Sequence, residues 1–357
     1  MADADKFAGT GPVRQGHEFD LSALYRWMEI QIADFLGPLK VEQFKGGQSN
    51  PTYRLITPNR EYVLRRKPPG TLLKGAHAVE REARVMAALG KAGFPVPKIY
   101  GKCDESSVIG SPFFVMELVK GRIFWGSTFE GVSNEDRHLY TMEMNRVLAQ
   151  LHGVDYQAVA LGDYGRRGGF VARQLERWSS QYMTDAEDAG RDEAMDRVIV
   201  WLKANLPERD ETSLTHGDFR VDNLIFHPTE PRVLAVLDWE LSTLGDPVVD
   251  FAYNAMMYRL PSDIAGGIAE FDLKALGIPS EDEYVAQYAR STGRPNVPNF
   301  NYYVVFNMFR FAAILHGVKA RSARGTAVSE SAMGDKFSRV AGYAWKEAQR
   351  SMKRKVA

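Results

Sequence analysis

The spacing of apolar residues in the first third of the chain predicts a small sheet with flanking helices. Apolar positions recur at helical spacing in two segments, and elsewhere they cluster in short runs separated by Gly, Asn and Pro. Short runs bounded by turn residues are typical of strands. The predicted elements are a helix over 20–35, two strands within 41–56, a strand over 61–65, a helix over about 76–90 and a strand over 111–119.

The pattern becomes mostly helical after about residue 133. Residues 301–315 are apolar almost all round, which predicts a central buried helix with Arg310 as its one charge. Arg310 could contact an anionic substrate group, but we favour a pairing with a core carboxylate. The helices of this part are predicted over about 134–151, 170–183, 191–205 and most of 263–353.

One β-hairpin interrupts the helical part. Two apolar runs, 223–227 and 232–237, flank Pro228-Thr229-Glu230-Pro231, an order typical of strand, turn and strand. Folding brings the outer ends together, so we expect Asn223 and Asp238 to lie within one or two strand spacings of each other. An amide oxygen beside a carboxylate suits Mg²⁺, which binds through one or two protein carboxylates, waters and phosphate oxygens. Alternatively, these are ordinary turn-forming residues.

A third acidic group stands close to this hairpin in the sequence. Asp218 precedes Asn223 by five residues, in the loop His216-Gly217-Asp218-Phe219-Arg220. Like charges that lie close together destabilise a fold unless a cation neutralises them. A purely structural role therefore explains poorly why a third acidic group stands beside Asn223 and Asp238.

The segment 216–223, followed by Leu237-Asp238-Trp239-Glu240, resembles the catalytic loop and metal-binding segment of the aminoglycoside phosphotransferase and choline kinase-like family. These are small-molecule relatives of the protein kinases, whose catalytic loop also places an Asp five residues before an Asn. The resemblance implies that Asp218 is the catalytic base and that Asn223 and Asp238 are Mg²⁺ ligands.

The resemblance covers about residues 40–320 and implies the fold class. We expect an α+β, two-lobed, protein-kinase-like fold with a small antiparallel-sheet lobe and a mostly helical large lobe. Residues 1–18 are expected to be disordered, 19–119 to form the small lobe with the nucleotide-binding elements, and 120–357 to form the helical lobe with the catalytic loop and the substrate pocket.

The strand that ends near residue 119 would lead into the hinge between the lobes. The resemblance implies that Met116 lies behind the adenine of ATP, while the carbonyl of Glu117 and the N–H of Val119 bind its edge. A plain buried strand explains the same residues equally well, because this recognition uses backbone atoms.

The loop Gly46-Gly47-Gln48-Ser49-Asn50-Pro51 separates the two strands within 41–56. By itself the glycine pair predicts a plain hairpin just as well. The loop lacks the Gly-x-Gly-x-x-Gly of protein kinases, but its Gly-Gly-x-Ser-Asn form is similar to that of the small-molecule family. The resemblance implies that backbone N–H groups of Gly46 and Gly47 cover the ATP phosphates, with Ser49 or Asn50 adding a side-chain donor.

Glu82 lies within the apolar stripe of the helix over 76–90, where a carboxylate needs a partner. Arg65 is the natural one, and the pair resembles the kinase pairing of a strand lysine with a helix glutamate that holds the α and β phosphates. This chain has Arg where kinases usually have Lys. A planar guanidinium can still bridge carboxylate and phosphate. The alternative is a surface glutamate with a solvated arginine.

Composition narrows the function classes. The chain has 45 Lys and Arg against 45 Asp and Glu, so nucleic acid is not expected as a partner. The single cysteine, Cys103, excludes an internal disulfide and a cysteine-rich zinc site. No apolar run approaches the roughly 18 residues of a membrane span, and the start of the chain lacks a signal-peptide pattern. We therefore expect a cytoplasmic protein without a membrane partner.

Together these features predict an ATP- and Mg²⁺-dependent kinase for a small-molecule hydroxyl. The segments 62–70 and 237–247 are similar to kinase-like domains fused to, or encoded beside, acyl-CoA dehydrogenases. This chain has no room for the dehydrogenase body, so we expect no dehydrogenase activity. The association suggests a hydroxy acid or hydroxyacyl-CoA as acceptor.

The sequence leaves several alternative acceptors and protein classes, which it disfavours to different extents. Aminoglycosides, amino sugars or choline-type acceptors are weaker alternatives, because a polycation would need an acidic pocket and no acidic cluster stands out in the C-terminal helices. A hydrolase or an oxidoreductase is disfavoured by the lack of a nucleophile elbow and of a dinucleotide fingerprint. A nucleotide-binding module without turnover stays open because of Arg65.

Overall fold

The computed structural model describes residues 9–46, 50–68, 78–208, 211–325 and 336–356, without the side chains of 354–356. The chain forms two compact units. The first unit comprises Met1–Ile123, Gln157–Leu161 and Asn223–Ser242, and the second comprises Phe124–Tyr156, Gly162–Asp222 and Thr243–Ala357. The first unit thus ends close to the domain boundary predicted near residue 120, but it also includes the later hairpin.

A six-stranded antiparallel sheet dominates the first unit, in the order β1-β2-β3-β4-β6-β5. The four strands predicted within 41–56, over 61–65 and over 111–119 are present, and two further strands, over 10–11 and 99–103, were not predicted. The strands are β1 (Thr10–Gly11), β2 (Lys40–Phe44), β3 (Thr52–Ile56), β4 (Glu61–Arg66), β5 (Ile99–Cys103) and β6 (Phe113–Glu117).

Residues 9–18 differ from the expected disorder. The strand β1 pairs with β2, and the Tyr53 hydroxyl donates to the carbonyl oxygen of His17 at 2.8 Å. The Gln43 amide also lies 2.9 Å from the ring of His17. The segment is rich in Gly and Asp, which favours a prediction of disorder. A short edge strand pairs through backbone groups, so its side chains give little indication that it forms.

Two helices pack on opposite faces of the sheet. Helix α1 (Leu21–Gln31) buries Leu24 and Met28 in one core cluster with Tyr62 and Leu64 of β4. Side chains alternate across a strand, so Arg65 points to the other face. There α2 (Val79–Lys91) contacts β5 and β6. Because Arg65 lies on this face of β4, its side chain is directed towards α2, the helix that carries Glu82.

The predicted hairpin also belongs to the first unit. It consists of β8 (Leu224–Phe226) and β9 (Val233–Val236), and the N–H of Leu237 donates to the carbonyl of Asn223 at 2.8 Å. Asn223 itself ends a 3₁₀ turn, Val221–Asn223, rather than opening the strand. A Cβ at Gly121 would lie 2.2 Å from the carbonyl oxygen of Phe226, so only glycine allows this close backbone approach.

The second unit is mostly helical, and four of its described helices pack against one buried helix, Phe300–Ala323. That helix, α8, is 24 residues long and buried along most of its length, as predicted for residues 301–315. A two-stranded ladder of β7 (Ser213–Thr215) and β10 (Thr243–Gly245) lies in the same unit. The helices are α3 (Asn134–His152), α4 (Phe170–Ala189), α5 (Glu193–Ala204), α6 (Pro247–Ala255), α7 (Glu281–Ser291), α8 (Phe300–Ala323) and α9 (Phe337–Val356).

The α+β class expected from the sequence is therefore confirmed. None of the helices in the described part of the chain combines the length and the apolar character that crossing a membrane requires.

Candidate active site

A buried arginine joins three carboxylates in the first unit. The Arg65 Nε atom lies 3.0 Å from Glu82 Oε2, and Arg65 Nη2 lies 3.0 Å from Asp238 Oδ1 and 3.6 Å from Glu240 Oε2. Only 2% of the Glu82 side chain is exposed, against 34% for Asp238. The predicted pair of Arg65 and Glu82 is thus present, and the same guanidinium also reaches the end of the hairpin.

The cluster has more negative than positive charge. Burial and, to a smaller extent, the carboxylates of Asp238 and Glu240 outweigh the opposing effect of Arg65 and raise the pKa of Glu82 to about 7. Burial alone would lower the pKa of Arg65, but the surrounding carboxylates raise it above its ordinary value, so the guanidinium stays charged. Even with Glu82 protonated, the two carboxylates of Asp238 and Glu240 exceed the single positive charge of Arg65, which favours the binding of a second cation.

Asp238 has a backbone conformation that L-residues rarely adopt, with φ 63° and ψ 63°. Asp tolerates this left-handed region better than most residues, and such strain is concentrated at functional sites. The backbone bond between Leu237 and Asn223 places Asn223 and Asp238 at the same end of the hairpin. Carboxylate and amide oxygens are the donor set that Mg²⁺ prefers. Among the described residues, no group of three or more His, Cys, Asp or Glu could hold a metal.

The glycine loop is described only in part. Gly46 and Asn50 belong to the described residues, whereas Gly47 and Ser49 lie outside them. Asn50 is buried, and its Nδ2 atom donates to Glu240 Oε2 at 3.3 Å. Sequence reasoning missed Glu240 as a site residue. The signal in the sequence was its position two residues after Asp238, within the turn Trp239–Leu241.

The predicted hinge residues lie at the end of β6. Met116 is buried and pairs with Val63 of β4 and Ile99 of β5. The N–H of Glu117 donates to the carbonyl of Lys98 at 2.8 Å. Within the described residues, the N–H of Val119 has no backbone acceptor.

Asp218 lies in the second unit, in a loop that Asp250 holds in place. The N–H of His216 donates to Asp250 Oδ2 at 2.7 Å, and the N–H of Gly217 donates to Oδ1 at 2.8 Å. Asp250 thus fixes the backbone immediately before Asp218. The His152 ring lies 3.2 Å from Oδ2 on its other side. Burial disfavours the ionised carboxyl, but His152 and His216 hold its pKa below the ordinary value.

Two further residues contact this loop and were not assigned to the site from sequence. The Tyr253 hydroxyl donates to Asp218 Oδ1 at 2.5 Å, and burial raises the pKa of Tyr253, which keeps the phenol protonated. Arg310 Nη2 donates to the carbonyl oxygen of Gly217 at 3.0 Å and lies over the Tyr253 ring. The expected carboxylate partner of Arg310 is therefore wrong, because a backbone carbonyl and an aromatic face surround the guanidinium.

A kinase-type phosphotransferase is the class of protein that this fold and these residues define. A family profile described as the Phosphotransferase enzyme family matches residues 40–296, and the chain belongs to this family. A solved structure from Ralstonia eutropha JMP134, provisionally described as an aminoglycoside phosphotransferase, is 48% identical and has a TM-score of 0.86. The match covers 93% of this chain and 99% of that chain.

Several curated relatives are named after acyl-CoA dehydrogenases rather than phosphotransferases. The mouse protein "Acyl-CoA dehydrogenase family member 10" is 45% identical over 90% of this chain, and the chicken "Acyl-CoA dehydrogenase family member 11" is 43% identical over 90%. The chain spans 30% and 42% of their respective lengths. The sequence segments 62–70 and 237–247 predicted a similarity to kinase-like domains associated with acyl-CoA dehydrogenases, and these relatives confirm it. A spectinomycin phosphotransferase solved with ADP and spectinomycin has a TM-score of 0.61 at 12% identity, which concerns the kinase-like fold alone.

Proposed function

We propose that the chain is an ATP- and Mg²⁺-dependent kinase that transfers the γ-phosphoryl group to a hydroxyl of a small molecule. The observation that carries this proposal is the cluster around Arg65. One buried guanidinium binds Glu82 on α2 and Asp238 at the end of the hairpin, each at 3.0 Å. An excess of carboxylate over positive charge beside a phosphate-binding cation is the arrangement that a metal–nucleotide complex completes.

Each residue of the first unit has a distinct role in this proposal. Glu82 fixes the orientation of Arg65, and Arg65 holds the nucleotide phosphates through its remaining N–H groups. Asn223 and Asp238 would hold Mg²⁺ through their oxygen atoms, together with waters and phosphate oxygens. When bound, the ion neutralises charge that develops on the transferred group. Backbone groups of Glu117 and Val119 would bind the adenine edge beside Met116, while the Gly46, Gly47, Ser49 and Asn50 loop would cover the phosphates.

In the second unit, Asp218 would accept or orient the proton of the acceptor hydroxyl. Tyr253 donates to one carboxylate oxygen, Oδ1, and thereby limits the rotation of the side chain. Asp250 fixes the backbone immediately before Asp218. The catalytic contribution of these residues is therefore positioning and electrostatics, as in other phosphoryl transfers.

A hydroxy acid or a hydroxyacyl-CoA is the acceptor class that we favour. The names of the mouse and chicken relatives associate this domain with acyl-CoA chemistry. In addition, a cavity of about 440 Å³ in the second unit is lined by Arg259, Lys346 and Arg350 and by the carboxylates of Glu281 and Glu347. This balance suits an anionic acceptor better than a polycation.

An aminoglycoside is the second candidate acceptor. The similarity to the Ralstonia protein, at 48% identity, favours it. A screen that offers hydroxy acids, hydroxyacyl-CoAs and amino sugars in parallel separates the two classes, because each predicts ATP consumption with only one set of acceptors.

The primary test is a thermal-shift titration with ATP and ADP, each with and without Mg²⁺. We expect a rise in melting temperature that depends on the metal, because a ligand that binds only the native state stabilises it. Asp238→Asn should abolish the metal dependence. Glu230→Gln, which changes an exposed carboxylate at the turn of the same hairpin, should retain it. A protein that no nucleotide stabilises would contradict the proposal.

Turnover is tested separately from binding. Nucleotide binding without ATP consumption in the acceptor screen would favour a nucleotide-binding module that does not turn over.

A further inference from the structure

A basic groove lies on the outer side of α2 in the first unit. It encloses about 890 Å³ between α2, the strand β5 and residues 159–161. Two carboxylates line it, and each lies against a lysine: Glu80 is 2.9 Å from Lys67, and Asp104 contacts Lys102. Five cations against two carboxylates give the groove an excess of three positive charges. The cations are Lys67, Arg81, Arg84, Lys91 and Lys102.

The floor of the groove is apolar. Ala83, Ala87 and Ala88 of α2 form it together with Pro112 and Leu161. The alanine side chains are small, so a bound chain can approach α2 closely. The cations stand around an apolar strip, an arrangement that fits a ligand with both acidic and apolar groups.

The other wall of the groove is the edge of the sheet. Four consecutive residues of β5, 99–102, line the groove. Successive side chains of a strand point to opposite faces, so a groove lined by consecutive residues follows the backbone edge rather than one face. Among the described strands, β5 pairs with β6 alone and ends the sheet. The backbone groups along its outer edge are the kind that an added strand binds.

We propose that this groove binds an extended acidic peptide segment of a partner protein, which adds to β5 as a further strand. Acidic side chains of the segment contact the cations of the groove, and apolar side chains contact the alanine floor. Strand addition to a sheet edge, with pockets for alternate side chains, is an established mode of peptide recognition. The proposal does not depend on phosphotransferase activity, because none of these contacts involves the nucleotide-binding residues.

The position of the groove connects it to the site already described. Glu82 lies on the buried side of α2, and Arg81 and Arg84 on its exposed side. A partner in the groove therefore contacts the helix that orients Arg65.

The test is fluorescence anisotropy with a labelled synthetic peptide of about eight residues, a usual strand length, in which Glu and Val alternate. The comparison peptide alternates Lys and Val. We expect saturable binding of the acidic peptide only, with affinity that falls as salt is added. Absence of saturable binding to the wild-type chain would overturn the proposal.

Charge-reversal variants distinguish peptide binding in the groove from long-range electrostatic attraction of the peptide to the whole protein. The double variant Arg81→Glu/Lys91→Glu changes two exposed side chains of α2 and should weaken binding at least tenfold. The matched control, Lys40→Glu/Lys45→Glu, makes the same change of net charge on β2 and the turn after it. An equal loss in the control would overturn the proposal, because it would show that long-range charge alone attracts the peptide.

Amide hydrogen exchange tests the strand addition itself. Bound peptide should slow exchange at residues 99–103, whereas the α2 variant with added peptide should exchange there like the free protein. Binding that leaves β5 unprotected would exclude strand addition. The exchange pattern of α2 in the unliganded variant verifies that the helix is intact.

Discussion

Replacement of Asp250 by Asn should destabilise the loop that carries Asp218. Asp250 is buried and accepts the N–H groups of His216 and Gly217 at 2.7 and 2.8 Å, with His152 at 3.2 Å. An asparagine has one acceptor oxygen, so its NH₂ group must face one of these donors. A hydrogen bond to a charged group contributes about 1.5–3 kcal/mol, and an unsatisfied buried donor costs about 1–3 kcal/mol. The sum predicts a loss of about 4 kcal/mol.

Asp246→Asn is the matched control for this prediction. Asp246 is also buried, caps the N-terminus of the same helix, α6, and accepts the N–H of Val248 at 2.7 Å. Asparagine is as good an N-cap as aspartate, so we expect a loss of only about 1 kcal/mol. The difference of about 3 kcal/mol corresponds to a roughly 100-fold change in an opening equilibrium.

Amide exchange at residues 213–219 measures this opening locally, and urea unfolding measures the global free energy. The pH dependence gives an independent check. The pKa of Asp250 is lowered from its ordinary value of 3.8, so its stabilisation is present above that pH and is lost as the pH falls through the folded-state pKa. The stability gap between wild type and Asp250→Asn should therefore narrow in acid below about pH 3.8. Equal losses for the two variants at pH 7 would refute the reasoning.

Three further substitutions test the proposed chemistry. Asp218→Asn should lower turnover by about 100- to 10,000-fold, the range of general-base contributions, with little loss of stability because the Tyr253 hydroxyl can still donate to the amide oxygen. Steady-state rates and melting curves measure this, and near wild-type turnover would remove Asp218 from the role of base. Arg65→Lys should weaken ATP binding by about 10- to 100-fold, since an ammonium cannot reproduce the planar fork that reaches Glu82 and Asp238 together. Calorimetry measures the affinity, and a large gain of activity would instead support the nucleotide-binding module. Tyr253→Phe should lower turnover about tenfold at unchanged ATP affinity, because it removes one hydrogen bond to Asp218, worth about 1 kcal/mol. An effect on ATP affinity alone would contradict this assignment.

Local sequence patterns predicted most of the elements and several contacts of the site. The apolar stripe of α2 placed Glu82 inside, where a carboxylate needs a partner, and Arg65 at the end of the nearby strand was its natural partner. The hairpin predicted the common position of Asn223 and Asp238 in the same way. The order Gly245-Asp246-Pro247 is typical of a helix start, and Asp246 caps α6 in the structure. These predictions succeeded because each depends on residues of one element or of two adjacent ones.

Other contacts join residues that are distant in the sequence. Asn50 and Glu240 are 190 positions apart, and Arg310 and Gly217 are 93 apart. No periodicity links such residues, and the partner of a buried arginine can be a carboxylate, a carbonyl or an aromatic face. Arg310 was assigned the wrong partner for that reason.

The sequence by itself therefore determined the element types, the faces of the strands and helices and the group of acidic and amide residues around the hairpin, because these depend on short-range spacing and on hydrophobic burial. Only the tertiary structure decided that Tyr253 binds Asp218, that Glu240 joins the Arg65 cluster, and that Lys67 and cations of α2 and β5 line one groove. Long-range packing selects one partner among many chemically equivalent ones, and that choice exists only after the chain has folded.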